Sequence, residues 1–196
     1  MGHLLLVTGG TRSGKSRYAL HRARAWGERI LYVATCQPAD EEMRQRVRRH
    51  QAERPRTWMT IEPGLEVVHA IQQHSLGIDG IVLDCLTLYV SQLLVAGIGE
   101  HEIVQRVDAL CAELREVSMP VAIVTNEVGW GVVPETPLGR LFRDAAGRAN
   151  QVAADYAQEV VLLVSGLPVV IKQQGRIAQQ PWDSPASPSG RGMGGR

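Results

Sequence analysis

The chain has 196 residues, 44% of them apolar and 21% charged, which suits one soluble globular domain with a sizeable core. A net charge of +1 supplies no overall field to recruit nucleic acid or a membrane surface. No apolar run approaches the ~18 residues of a membrane span, and the three cysteines are widely spaced without a C-x-x-C pair, which argues against a disulfide framework or zinc site and for a reducing cytoplasm.

In chain order, Leu4-Leu5-Leu6-Val7 reads as a buried strand, too short for a signal peptide. The run Gly9-Gly10-Thr11-Arg12-Ser13-Gly14-Lys15-Ser16 follows and fits G-x-x-x-x-G-K-[ST]. A helix is expected from Arg17 to Trp26. A glycine-rich loop between strand and helix lets backbone N–H groups wrap a triphosphate, with the positive end of the helix dipole facing the anion. Lys15 then neutralises the β- and γ-phosphates, and the Ser16 hydroxyl ligates the Mg²⁺ that accompanies ATP or GTP.

Ile30–Ala34 reads as the next strand, and a helix is expected from an N-cap at Asp40 to Gln51, with Glu41 and Glu42 in its first turn. At 100° per residue, Met43, Arg46, Val47, His50 and Arg54 share its inward face. An imidazole at His50 suits attack on a nucleotide phosphorus, or simply finishes an amphipathic stripe; spacing alone leaves both open. Thr57–Ile61 is strand-like, and Glu62 before Pro63 either binds a base or ribose or caps a helix. Gly80–Asp84 is a buried strand ending in an acid at the edge where α/β sheets bind ligands. Asp84 there reaches Mg²⁺, directly or through water, or caps the next helix.

Ile103, Val107, Leu110, Leu114 and Val117 step along one face of a helix closed by Pro120. Val121–Thr125 is another strand, and Asn126 and Glu127 after it lie at the same edge, as candidate phosphate, metal or base groups. Leu138, Leu141, Ala145, Ala149, Val152 and Tyr156 trace a further helical stripe. Val160–Val164 and Val169–Ile171 flank Gly166-Leu167-Pro168, an expected hairpin with an antiparallel edge strand. Residues 173–196 are rich in Gly, Pro, Ser and Gln and are expected to be a disordered tail, with Trp182 its one large apolar residue. The remaining histidines show no ligand spacing and read as surface residues. Continuous apolar strands alternating with helices define an α/β fold, a P-loop NTPase-like three-layer sandwich with a mainly parallel sheet, over residues 1–172.

These segments together resemble the bifunctional adenosylcobinamide kinase/adenosylcobinamide-phosphate guanylyltransferase family. The motifs are Val7–Ser16, Tyr32–Thr35, Asp40–Met43 leading to Arg46–His50 and Arg54-Pro55, Thr125–Gly129, Val133–Glu135, Phe142–Gln151 and Val164–Gly166. The resemblance implies that adenosylcobinamide is phosphorylated with ATP or GTP and then receives GMP from GTP through a guanylyl-histidine. Metabolite kinases of other substrates and GTP-gated regulatory modules share the phosphate loop. The resemblance gives the histidine role to His50, and nucleotide contacts to Gly9–Ser16, to Ala34, Thr35 and Cys36, to Glu62 and to Asp84. Cys36 and Asp84 stand where some members have Ser and Glu; the shorter Asp84 favours a water-mediated metal contact. A homotrimer with active sites between subunits is also implied.

Overall fold

The protein is described by a computed structural model that covers residues 2–36, 41–52 and 54–178, with backbone alone for 42, 43, 46, 49 and 50. The strands are β1 (Leu4–Gly9), β2 (Ile30–Ala34), β3 (Met59–Ile61), β4 (Gly80–Asp84), β5 (Val121–Val124), β6 (Glu159–Val164), β7 (Leu167–Gln173) and β8 (Arg176–Ile177). The helices are α1 (Lys15–Arg24), α2 (Glu41–Ala52), α3 (Val67–His74), α4 (Leu86–Val95), α5 (Glu100–Glu116) and α6 (Pro137–Tyr156).

The strands form one sheet in the order β3-β2-β4-β5-β1-β6-β7-β8, parallel from β3 to β6 and antiparallel for β7 and β8. The central strands are apolar at successive positions because both their faces are covered. Leu4 and Leu6 of β1 point into a core shared with α3, α4, α5 and α6. Leu5 and Val7 point into the opposite core, shared with Ala19, Leu20 and Ala23 of α1 and with Trp58. This is the expected three-layer sandwich.

The stripe on α5 is buried as its spacing predicts: Ile103, Val107, Leu110 and Leu114 are inaccessible to solvent. On α6 the burial begins later than expected, with Ala145, Ala149 and Ala153 against the core while Leu138 and Leu141 remain exposed. Small alanines suit the close approach of α6 to the layer beneath it. Helix α1 starts two residues before its expected start, inside the glycine-rich loop; α3 follows the helix start offered at Pro63, and α4 is the helix after Asp84. Strand β7 runs to Gln173 and turns back into β8, so regular structure extends beyond residue 172; Asp40 and residues 179–196, including Trp182, lie outside the described residues. No described helix is long and apolar enough to cross a membrane.

Helix α1 is tied to β6 by a two-pronged ion pair. Arg22 Nη1 and Nη2 donate to Glu159 Oε1 and Oε2 at 2.7 and 2.8 Å, and His3 Nε2 lies 3.1 Å from Oε2. The Arg22 guanidinium holds the Glu159 carboxyl below its usual range, with burial opposing. The pair therefore contributes stability fully above the ordinary Glu value of about 4.3, and loses it as pH falls below that value through the depressed one. Glu159→Gln should cost about 0.5–1 kcal/mol at neutral pH. The gap from the unaltered protein should close on acidification, as read by thermal melts at pH 7 and pH 3.

Candidate active site

The phosphate loop joins β1 to α1 through backbone conformations that side chains resist. Gly9 has φ +144°, and a Cβ there would lie 2.4 Å from the Leu163 carbonyl oxygen of β6. Gly14, at φ +96°, caps α1 in the left-handed conformation. The turn between β6 and β7 closes over the loop, where Gly166 N–H donates to the Ser13 carbonyl at 3.0 Å. Lys15 is buried, and its Nζ donates to the Gly10 carbonyl at 2.6 Å. The lysine is thus held across the loop.

A cavity of about 660 Å³ opens beside this loop at the carboxyl edge of the sheet. Of the expected site residues, Arg12, Ser13, Gly14, Lys15, Ser16, Ala34, Cys36, Glu62 and Asp84 line it. Gly9, Gly10, Thr11 and Thr35 do not; the first two shape the loop. Thr35 is turned away: its Oγ1 donates to the Cys85 carbonyl at 2.7 Å and accepts from the Cys85 N–H at 2.8 Å, fixing the ends of β2 and β4 together.

Asn126, a candidate at this edge, also lines the cavity, whereas sequence spacing did not reveal Tyr32, Arg17, Cys85, Leu88 or the Ser165-Gly166 turn as cavity residues. The resemblance itself held a signal for some of them, since Tyr32, Ser165 and Gly166 fall inside its motifs. Tyr32 O–H donates to Asp84 Oδ2 at 2.8 Å, and the Arg54 guanidinium sits 4.0 Å over the Tyr32 ring. Arg54 Nη1 also donates to Thr60 Oγ1 of β3 at 2.8 Å. Burial, and then the Asp84 carboxylate, push the Tyr32 phenol well up, so it stays protonated and keeps donating. Burial pushes the Cys85 thiol up to about 12, which makes it a neutral wall and no nucleophile.

Helix α2 presents Val47 and Gln51 to the cavity, and Arg54 follows on the same side. His50 belongs to this helix, but its side chain, like those of Met43 and Arg46, lies outside the described residues. Glu41 is exposed and pairs with Arg44 and Arg48 on the outer side.

Glu127 does not line the cavity. Its Oε1 accepts from Thr8 Oγ1 and from Asn150 Nδ2, joining the entry to the phosphate loop to α6. Ser16 and Asp84 do line it, and offer the hard oxygen donors that Mg²⁺ takes alongside phosphate and water. Among the described residues no cluster of three His, Cys, Asp or Glu side chains forms a metal cage.

A mostly parallel sheet with a G-x-x-x-x-G-K-S loop at its carboxyl edge defines the P-loop nucleotide-binding class. Within that class the family model described as cobinamide kinase / cobinamide phosphate guanyltransferase matches residues 5–171, and the chain belongs to that family. It is 41% identical to the bifunctional adenosylcobalamin biosynthesis protein CobU of Salmonella typhimurium, over 86% of this chain and 99% of that protein. It is 39% identical to the protein of the same name from Escherichia coli, over the same shares. Identity is 36% to the bifunctional adenosylcobalamin biosynthesis protein CobP of Pseudomonas aeruginosa, over 85% of this chain and 96% of that one.

The contact between Gly9 and Leu163 makes a direct test of the loop's geometry. Gly9→Ala should destabilise the fold by about 2–4 kcal/mol, from backbone strain and from overpacking against β6. Denaturant melts should show that loss, and GTP binding should weaken in whatever fraction stays folded.

Proposed function

We propose that this protein phosphorylates the hydroxyl of adenosylcobinamide with ATP or GTP, and then transfers GMP from GTP to the phosphate so formed. The observation that carries this reading is a single cavity bounded by both the phosphate loop and the face of α2 on which His50 falls by helical register. Family membership supports the two reactions, and the helix position supports the choice of nucleophile.

In the first reaction, Lys15 and the loop amides hold the β- and γ-phosphates in line with the acceptor hydroxyl, so that catalysis is positioning plus charge neutralisation. Mg²⁺ held by Ser16 and Asp84 would supply further neutralisation of the developing charge. Tyr32 O–H occupies Asp84 Oδ2, so a cation would be met through Oδ1.

In the second reaction, the His50 imidazole attacks the α-phosphorus of GTP; an N–P bond forms and the bond to pyrophosphate breaks. The phosphate of the acceptor then displaces the imidazole, giving adenosylcobinamide-GDP. Imidazole suits the task as a good nucleophile and, once protonated, a good leaving group. Glu62 at the far side of the cavity is proposed to contact the base or ribose, and α2 to move His50 towards the α-phosphate on GTP binding.

The homotrimer is proposed from the family resemblance; Leu167, Val169, Val170 and Ile171 of β7 and Ile177 of β8, which no other described residue covers, are apolar surface that suits association. Cys36, Cys85 and Cys111 form no disulfide, which suits a reducing cytoplasm.

Incubation with α-labelled GTP should leave acid-labile label on the denatured protein, and His50→Ala should abolish it while retaining phosphorylation of adenosylcobinamide. Lys15→Ala should lower both reactions by about 10²-fold or more. An unlabelled wild-type protein would exclude the histidine route.

A further inference from the structure

Asn126 follows the end of β5, the strand that lies between β1 and β4 in the sheet. Thr125 N–H donates to the Val7 carbonyl at 2.9 Å and Glu127 N–H to the Gly9 carbonyl at 3.1 Å, so the chain around Asn126 continues alongside the first glycine of the phosphate loop. Asn126 therefore stands between Lys15 on one side and Asp84 on the other, and lines the cavity with both.

Its backbone is held by a closed ring of hydrogen bonds. Asn126 N–H donates to Thr87 Oγ1 at 2.7 Å, and Thr87 and Thr125 hydroxyls lie 2.9 Å apart. Thr125 donates its hydrogen to Asn150 Oδ1 at 2.6 Å, so it accepts from Thr87. Asn150 Nδ2 closes the ring by donating to the Asn126 carbonyl at 3.0 Å. Thr87 and Thr125 are buried. All these bonds run in one direction, an arrangement in which each strengthens the next.

The ring consumes both backbone groups of Asn126 and leaves its side-chain amide, to which no described residue hydrogen-bonds. The polar group on offer at this point is thus fixed in place before any ligand arrives.

We propose that Asn126 is the group that holds the phosphoryl group being transferred, with Asn126 Nδ2 donating to a γ-phosphate oxygen and Thr87, Thr125 and Asn150 acting as positioning residues. The γ end is chosen because Lys15 and a cation held by Ser16 and Asp84 would bracket that phosphate, and Asn126 follows β5, the strand between β1 and β4. This rests on the kinase reading above. The bond from the β,γ-bridging oxygen to the γ-phosphorus breaks as the bond from the acceptor oxygen forms. The acceptor's proton departs to solvent. The neutral amide supplies a hydrogen bond and no proton, so it acts at any pH at which the protein is folded.

The test compares GTP and GDP affinity by titration calorimetry in the wild type, Asn126→Ala, Thr87→Val and Thr87→Ser. The preference of the wild type for triphosphate over diphosphate should fall by about tenfold in Asn126→Ala, with GDP affinity kept. Phosphorylation should lose about 10²-fold in kcat. Thr87→Val opens the ring and should reproduce the loss of preference; Thr87→Ser retains the hydroxyl and should restore most of it. Equal weakening of GTP and GDP in Asn126→Ala, or no change in either, overturns the proposal. A wild type that fails to phosphorylate adenosylcobinamide would defeat the kinase reading, whereas the GTP-against-GDP comparison would still decide the role of Asn126.

Discussion

The burial of β1 and β5 on both faces is the constraint on which the active edge depends. With apolar layers above and below, these strands place their backbones where only ladder hydrogen bonds can satisfy them, and their chemistry is confined to their carboxyl ends. Val7 is paired with Val124, and one step further the ladder gives way to the phosphate loop on one strand and to Thr125-Asn126-Glu127 on the other. Because the two strands are in fixed register, the loop and the polar segment cannot slide against each other. Thr8, Glu127 and Asn150 then fasten that junction to α6.

The same register explains how one cavity can serve two transfers. Crossing from β1 through β5, β4 and β2 to β3 covers four strand spacings of about 4.8 Å each. That is the scale of a nucleotide stretched from its terminal phosphate to its base. In the proposed reading, phosphate chemistry belongs at the β1 end, beside Lys15, and base or ribose contacts at the Glu62 end. Val47 and Gln51 of α2 line the same cavity. The two reactions then differ in which phosphorus is addressed along one extended substrate.

Much of the sheet was legible in the sequence because central strands write themselves as unbroken apolar runs, and α5 because its spacing is regular over four turns. The phosphate loop was legible because its glycines are demanded by backbone geometry at Gly9 and Gly14. Helix α4 was hard to see because Leu86–Val95 is apolar on nearly every side, which removes the periodic signal. The N-terminal half of the α6 stripe misled for the opposite reason: Leu138 and Leu141 keep helical spacing but project beyond the layer they would have to meet. The ring under Asn126 was invisible, since hydrogen bonds among residues 87, 125, 126 and 150 depend on a tertiary meeting of three elements. Thr35 shows the same limit in reverse; its position beside the site is evident from sequence, whereas its bonding to Cys85 is not.

The placement of β1 in the middle of the sheet has a consequence for how the molecule comes to exist. Leu4 must wait for Val121, and Leu5 for Glu159, before the strand that carries the phosphate loop has a neighbour on either side. Among the described residues this strand leaves the ribosome first, yet it is enclosed only after nearly all the others have been made. Such distant pairings raise contact order and slow folding, and meanwhile an apolar segment stays uncovered and open to chaperones or to other nascent chains. The Gly166–Ser13 bond falls late in the same sequence of events, so the loop is finished by a turn near the opposite end of the folded chain. Nucleotide binding is thus a property the chain acquires only once β6 and the turn after it have been made.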